Sequence, residues 1–313
     1  MASLKHITLT GIDDRTDIRE LVRLQELYPL VEFGVLLSWS LQGSERRYPS
    51  IQTVRAFNEA GLNLSAHICG SAARQFAQGD TAILDHILGQ IGTVRFKRMQ
   101  LNLAGFPAER FVPLPTEYGS AKEIILQRMG VDELNLYRER LGDHPSVLLD
   151  ASGGRGRETP IIPLKGPFKV GYAGGLGPDN VEGKLTFLLG RPEIGDFWID
   201  MESGVRSLDW FDVTKAEEVL KKCHVVLLKN RYRPCYDTHN TFHEGGRKIH
   251  VMDGDTGRCL CGYKPLLYNE VDLDYPGSPY KNALDYARQP DPDGNICKRC
   301  KEILENKTME RMS

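Results

Sequence analysis

Three things are missing from this sequence, and each absence removes a class of protein. No stretch approaches the ~20 consecutive apolar residues that a membrane-spanning helix needs, and the opening residues Met1 to His6 hold no long apolar leader core. The expectation is a soluble, cytoplasmic protein with no membrane partner. Charge of one sign is also lacking. Lys and Arg number 40 against 42 Asp and Glu, a formal net charge of −2, so nothing draws the whole chain to nucleic acid or another polyanion. The third absence is a disulfide framework. There are seven cysteines, an odd count; Cys259, Cys261, Cys297 and Cys300 crowd the C-terminal part while Cys69, Cys223 and Cys235 are scattered. One tight cluster among unpaired numbers argues for metal ligation.

What the sequence does contain is a repeating alternation of short apolar runs and amphipathic stretches. With 313 residues it exceeds the ~250 that a single α/β barrel commonly uses, which predicts two domains, 1–223 and 224–313. Eight runs read as strands: Ile7 to Thr10, Val31 to Leu37, Asn63 to Ile68, Met99 to Leu103, Glu123 to Leu126, Val147 to Asp150, Lys169 to Tyr172 and Phe197 to Asp200. Between them lie segments such as Ile18 to Leu27, with apolar residues three and four apart as on one face of a helix. Most connections are long enough for right-handed parallel crossovers. The fold class expected is α/β, an eight-stranded (β/α)8 TIM barrel with a small loop-rich C-terminal module. The fifth run can also continue a helix begun at Ser120, so a six-stranded doubly wound sheet is the alternative; no dinucleotide fingerprint follows the first strand, which favours the barrel.

Three glycine-rich turns follow apolar runs in order: Val147 to Gly154, Val170 to Gly177 and Phe197 to Val205. Strand ends of this kind offer backbone N–H groups to a phosphate at the C-terminal rim of a parallel barrel. A phosphorylated small molecule is the expected ligand, while the plain alternative for each turn alone is a tight bend.

At these residues the chain resembles a known family. Leu149-Asp150-Ala151-Ser152-Gly153-Gly154-Arg155-Gly156-Arg157, Ala173-Gly174-Gly175-Leu176-Gly177-Pro178-Asp179-Asn180, Asp200-Met201-Glu202-Ser203-Gly204-Val205 and the earlier Ser44-Glu45-Arg46-Arg47-Tyr48-Pro49-Ser50 together resemble phosphoribosylanthranilate isomerase. The resemblance implies that Gly174, Gly175, Ser203 and Gly204 hold a substrate phosphate, that Arg47 binds substrate, and that Asp150 is a general acid. It also implies a cysteine base at the end of the first strand, where this chain has Thr10. A threonine hydroxyl cannot serve as that base near neutral pH, so a different reaction is expected. Replacement bases are His67, whose ordinary pKa lies near neutrality, Asp13 or Asp14 just beyond Thr10, and Cys69. Each has a structural alternative: a core histidine, turn carboxylates, a small buried hydrophobe. Arg155 and Arg157 join Arg47 as grips for a second anionic group; Asp200 is a candidate to join Asp150, while the resemblance implies a structural strand-end residue there. Lys169 lies at the wrong end of its run for a Schiff-base enzyme, and only His67 among the histidines sits on a strand, which weighs against a metal-dependent epimerase.

The C-terminal part changes character. Val225 to Leu228 is a candidate further strand, and Asp274 to Asn295 is rich in Pro, Gly, Asp and Tyr, too poor in apolar surface to fold unaided. His250, Cys261, Cys297 and Cys300 have the spacing of a tetrahedral structural Zn2+ site, with Cys259 able to displace His250. Small His, Cys-Gly, CxxC modules resemble zinc-binding appendages of bacterial and phage proteins. Lys229, Arg231, Tyr232, Arg233 and Tyr236 are the residues through which that module would contact a nucleic-acid backbone, against the plainer reading of linker surface. The functional expectation is an acid–base isomerase or related lyase acting on a phosphorylated sugar or nucleotide-like molecule. The alternative is a non-catalytic protein that binds or sequesters a phosphorylated ligand and uses the zinc module to contact a partner.

Overall fold

The computed structural model describes residues 2–103, 105–128, 146–150, 152, 156–164, 169–237, 249–253, 258–259, 268–270 and 300–303. The chain divides into two compact units, Met1–Leu220 and Lys221–Ser313.

In the first unit eight strands close into a barrel in sequential order: β1 (Ser3–Thr10), β2 (Val31–Leu37), β3 (Leu64–Ile68), β4 (Phe96–Leu101), β5 (Ile124–Arg128), β6 (Ser146–Leu149), β7 (Lys169–Tyr172) and β8 (Asp196–Met201). Every pairing is parallel, including β1 with β8, where Leu9 lies beside Met201. The closed ring excludes the doubly wound sheet. The fifth run is a strand and pairs with both neighbours, Leu101 beside Leu126 and Leu126 beside Val147. β4 begins three residues earlier than its apolar run, at Phe96, because Lys97 and Arg98 interrupt the pattern.

Helices cover the outside of the ring. α1 (Ile18–Leu27) starts where the Asp17 carboxylate accepts the Arg19 N–H, and it buries Leu21 and Leu24. α2 (Ile51–Glu59) starts at Ser50, whose hydroxyl accepts from Thr53 N, and buries Val54 and Phe57. α3 (Gly70–Phe76), α4 (Ala82–Ile91) and α5 (Val181–Leu189) follow β3, precede β4 and follow β7. These faces meet outward apolar strand residues such as Leu9, Phe33, Leu64 and Ala66, all buried. Removing such surface from water at ~25 cal/mol per Å2 is what drives the closure.

The inside of the barrel is polar, which is unusual for an interior built by strand alternation. Near the N-terminal end Arg98 donates to both oxygens of Glu32, at 2.9 and 2.6 Å, and to Thr8 Oγ1 at 3.1 Å, while Thr8 donates to Glu32 Oε2 at 3.0 Å. The guanidinium also lies 4.6 Å from the centre of the Trp198 ring. Every polar group of this cluster is fully enclosed, so each partner is needed to offset the desolvation of the others.

After β8 in the chain, β9 (Arg206–Ser207) pairs antiparallel with β10 (Trp210–Phe211). The second unit carries a four-stranded antiparallel sheet in the order β13 (Arg258–Cys259), β12 (Ile249–Asp253), β11 (Tyr232–Asp237), β14 (Tyr268–Glu270). Val225 to Leu228 is not a strand. It lies inside α6 (Val213–Arg231), which starts at Asp212, the acceptor for Lys215 N at 3.1 Å; apolar residues at Ala216, Val219, Leu220, Cys223 and Val226 recur at helical spacing and outweigh the β preference of two valines. No helix among the described residues is long and apolar enough to cross a membrane.

Candidate active site

A cavity of about 350 Å3 opens at the C-terminal ends of the barrel strands. Strand alternation delivers its walls. Thr10 comes from β1, His67 and Gln100 from β3 and β4, Gln127 from β5, and Asp200 from β8; Asp150 follows directly on β6. All of these side chains are buried.

The final two turns come together. Gly174 and Gly175 have φ of +107° and +68°, a region open to glycine at little cost, and both line the cavity with Ser203. Gly204 stands behind them, packed so tightly that a methyl group on it would lie 2.7 Å from Gly177 Cα and closer still to the Leu176 carbonyl oxygen. Asn180 fastens the first of these turns, accepting from Gly177 N at 3.1 Å and donating to Gly175 O at 2.9 Å. The preceding loop arrives at the same place, with Gly156 against the Ser203 hydroxyl. Ser203–Val205 forms one 3-10 turn, shorter than the helix its position suggests.

Three carboxylates line the hollow: Asp150, Asp200 and Glu202. Asp150 accepts from Gln127 Nε2 at 2.9 Å, Ser152 N at 3.0 Å and Ser152 Oγ at 2.6 Å. Asp200 accepts from Thr10 Oγ1 at 2.8 Å. Burial pushes the Asp200 carboxyl up to about 7, against the pull of the Thr10 hydrogen bond and Arg98. Thr10 thus holds the Asp200 carboxyl of β8 from the position where the resemblance implies a thiol. The sequence offers Asp200 as a candidate partner of Asp150, and both carboxylates line the same cavity.

The remaining candidate bases fare differently. His67 lines the cavity, but burial lowers its pKa to about 4, and its Nδ1 faces Gln100 Nε2 at 3.3 Å. At neutral pH it is a neutral hydrogen-bonding ring and a weak base. Asp13 is a correction. It is fully buried outside the cavity, where it accepts from Phe211 N at 2.6 Å, from Arg206 at 3.2 Å and from Thr16 Oγ1 at 3.1 Å; its oxygens are spent on the fold. Asp14 likewise ties the first loop to α2 through Ser50 N and Oγ. Burial pushes the Cys69 thiol up to about 12, which leaves no thiolate to act as nucleophile or base.

Arg47 reaches the cavity with its charge already engaged, donating to Glu202 Oε1 at 2.8 Å and Asp209 Oδ1 at 2.7 Å. Burial raises the Glu202 carboxyl and Arg47 opposes the rise. Arg157 is exposed and away from the cavity wall. Arg155, Cys261 and Cys297 lie outside the described residues, as does the side chain of His250. Two cavity residues that sequence reasoning did not single out are Arg74 and Tyr48.

No protein-family model matches this chain, and no curated protein sequence matches it. Solved structures do. TrpF of Jonesia denitrificans is 14% identical with a TM-score of 0.40, covering 72% of this chain and 98% of its own. N-(5'-phosphoribosyl)anthranilate isomerase of Pyrococcus furiosus is 14% identical with a TM-score of 0.42, covering 70% and 98%. A phosphoribosyl anthranilate isomerase in complex with reduced 1-(o-carboxyphenylamino)-1-deoxyribulose 5-phosphate is 17% identical with a TM-score of 0.43, covering 71% and 100%.

Proposed function

We propose that the barrel is an acid–base isomerase, or a lyase of related chemistry, for a phosphorylated sugar or nucleotide-like small molecule. One observation carries the reading: Asp150 and Asp200 face the same hollow as the converging turns of β7 and β8. Gly174, Gly175 and Ser203 hold the phosphate and thereby set the rest of the molecule against the two carboxylates. With its carboxyl raised to about 7, Asp200 keeps a proton to give near neutral pH, and Asp150 is the partner that receives one. This exchanges the donor role implied for Asp150. His67, Gln100 and Gln127 supply neutral hydrogen bonds that orient the ligand, and Arg47 braces Glu202 at the rim.

The phosphate grip is tested by calorimetric titration with inorganic phosphate and ribose 5-phosphate. Both are expected to bind the wild type, and Gly204→Val, which drives a side chain into the Gly177 turn, is expected to weaken them by tenfold or more. Absence of binding, or an unaltered Gly204→Val, would overturn the grip. Ligand retained on the purified protein and identified by mass spectrometry supplies the substrate for turnover assays.

A structural zinc ion in the C-terminal unit is the second part of the proposal. Cys300 is buried within a helical segment at 300–303, an arrangement compatible with the second thiolate of a CxxC pair. His250 on β12 and Cys259 on β13 lie on adjacent strands, Cys259 opposite Met252. Among the described residues no three metal-ligating side chains gather, so the set rests on His250, Cys261 and Cys297 joining Cys300. Elemental analysis of the purified chain is expected to find about one zinc per molecule, lost in Cys300→Ser; a zinc-free, fully folded wild type would remove the assignment.

A further inference from the structure

We infer that His67 is an electrophilic donor, its Nε2–H holding a carbonyl oxygen of the substrate as negative charge develops there, so that the molecule taken is a phosphorylated α-hydroxy aldehyde or ketone. The inference rests on the acid–base reading above and names the substrate class and one further catalytic residue of that same site. Its basis is a directed chain of hydrogen bonds. The His67 carbonyl can only accept, and the Cys69 thiol donates to it at 3.5 Å. The sulfur accepts from Asn102 Nδ2 at 3.2 Å, which leaves Asn102 Oδ1 to accept from Gln100 Nε2 at 2.9 Å. The second amide hydrogen of Gln100 is left for His67 Nδ1, 3.3 Å away. Nδ1 is therefore an acceptor, and in a neutral ring the proton stands on Nε2.

That N–H has no acceptor among the described residues, although the side chain is buried and lines the cavity. An enclosed donor left without an acceptor is costly, and a ligand oxygen in the cavity satisfies it. The surroundings place that oxygen. A methyl group on Gly34 of β2 would lie 3.0 Å from His67 Nε2 and closer still to Thr10 Oγ1, so these two polar atoms border one small space, and Thr10 in turn donates to Asp200. The neutral donor and the acid of the proposed reaction thus serve the same edge of the cavity. Burial, which lowers the pKa of His67 to about 4, withdraws the ring from service as a base and keeps it as an uncharged donor to a developing oxyanion. Asp150 takes the proton from the carbon beside the carbonyl; the C–H electron pair becomes a C=C bond, and the carbonyl π pair moves to the oxygen held by His67, which takes the Asp200 proton. Asp150 then returns its proton to the former carbonyl carbon as Asp200 recovers one from the neighbouring hydroxyl, and both carboxyls end as they began.

Two measurements test this. In 15N-histidine correlation spectra of the full chain, the ring resonances absent from His67→Gln are expected to be those of a neutral Nε2–H imidazole at about pH 6. An Nδ1–H tautomer or an imidazolium there overturns the inference. The second measurement titrates 5-phospho-D-arabinonohydroxamate, whose planar head resembles an enediolate, against D-arabinitol 5-phosphate, which lacks that head. The hydroxamate is expected to bind the wild type about tenfold or more tightly, a preference abolished in His67→Leu and partly kept in His67→Gln, whose amide still donates. Retained binding of inorganic phosphate shows that each variant folds; if His67→Leu fails that control, the ring spectra decide. An undiminished preference in His67→Leu, or none in the wild type while phosphate binds, overturns this inference alone. If phosphate itself fails to bind the wild type, the underlying reading falls.

Discussion

Asp200→Asn is expected to reduce turnover by about 10²- to 10⁴-fold, the usual contribution of a positioned acid–base group. The amide keeps the shape of the carboxyl and can still bond Thr10, so the loss reports proton transfer and not collapse of the β1 and β8 seam. The pH dependence gives the sign. A group near 7 that must donate is present as the acid below that value, so kcat/KM of the wild type should fall tenfold per pH unit as pH rises above about 7. In Asp200→Asn that limb should vanish. A rate that instead rises through pH 7 would make Asp200 the acceptor and return the donor role to Asp150; unchanged turnover in the variant would remove Asp200 from the chemistry. Thr10→Val adds a finer measurement. Losing the hydroxyl takes away a bond that favours the charged carboxylate, so the midpoint of the limb should move to higher pH.

The barrel was legible because its outer faces are apolar and its strands are separated by amphipathic helices. Where polar residues point inward the signal weakened. Phe96-Lys97-Arg98-Met99-Gln100-Leu101 alternates charge and apolar character, and its apolar run alone places the strand too late. The turns of β7 and β8 were legible from glycine spacing, and their convergence follows from strand adjacency. The environments of the titratable candidates were not, for a physical reason. Asp200 acquires its properties by burial and by a hydrogen bond from a residue 190 positions away, and Asp13 is withdrawn from chemistry by an arginine 193 positions later. At Thr10 the sequence shows only that a thiol base is missing; the hydroxyl's bond to Asp200 across the closing seam is visible only in the closed barrel. Burial also decides His67: the pattern marks a histidine on a strand, and only the closed barrel shows how far that ring is desolvated.

Breaking the Glu32 and Arg98 pair from one side is expected to cost about 3–5 kcal/mol of folding stability, because the survivor is a buried charge stripped of its hydrogen-bonded partner, Arg98 keeping only Glu123, at 4.0 Å, as counter-ion among the described residues. The pair lies enclosed by the barrel, at side-chain exposures of 1% and 4%, where burial works against both charges and each partner sustains the other. Arg98 overcomes that penalty and holds Glu32 below the usual carboxylate range. Glu32→Leu should therefore lower the urea midpoint steeply, while the double variant Glu32→Leu with Arg98→Met should recover most of the loss by filling the space with apolar groups. Equal midpoints for Glu32→Leu and wild type would show the pair to be energetically idle. The acid side supplies an independent reading. A carboxyl depressed in the folded state contributes stability that is present above its ordinary value of 4.5 and is lost as pH falls through the folded value. Two other barrel groups act above that window with opposite signs. His67, lowered to about 4, makes stability fall as pH drops from 6.5; Asp200, raised to about 7, makes it fall as pH climbs from 3.8. Their slopes oppose each other between about pH 4 and 6.5; below that Glu32 adds to an acid loss shared with the lowered carboxyls of Asp17, Asp85, Glu158 and Asp212, so the loss should be smaller in the double variant than in the wild type.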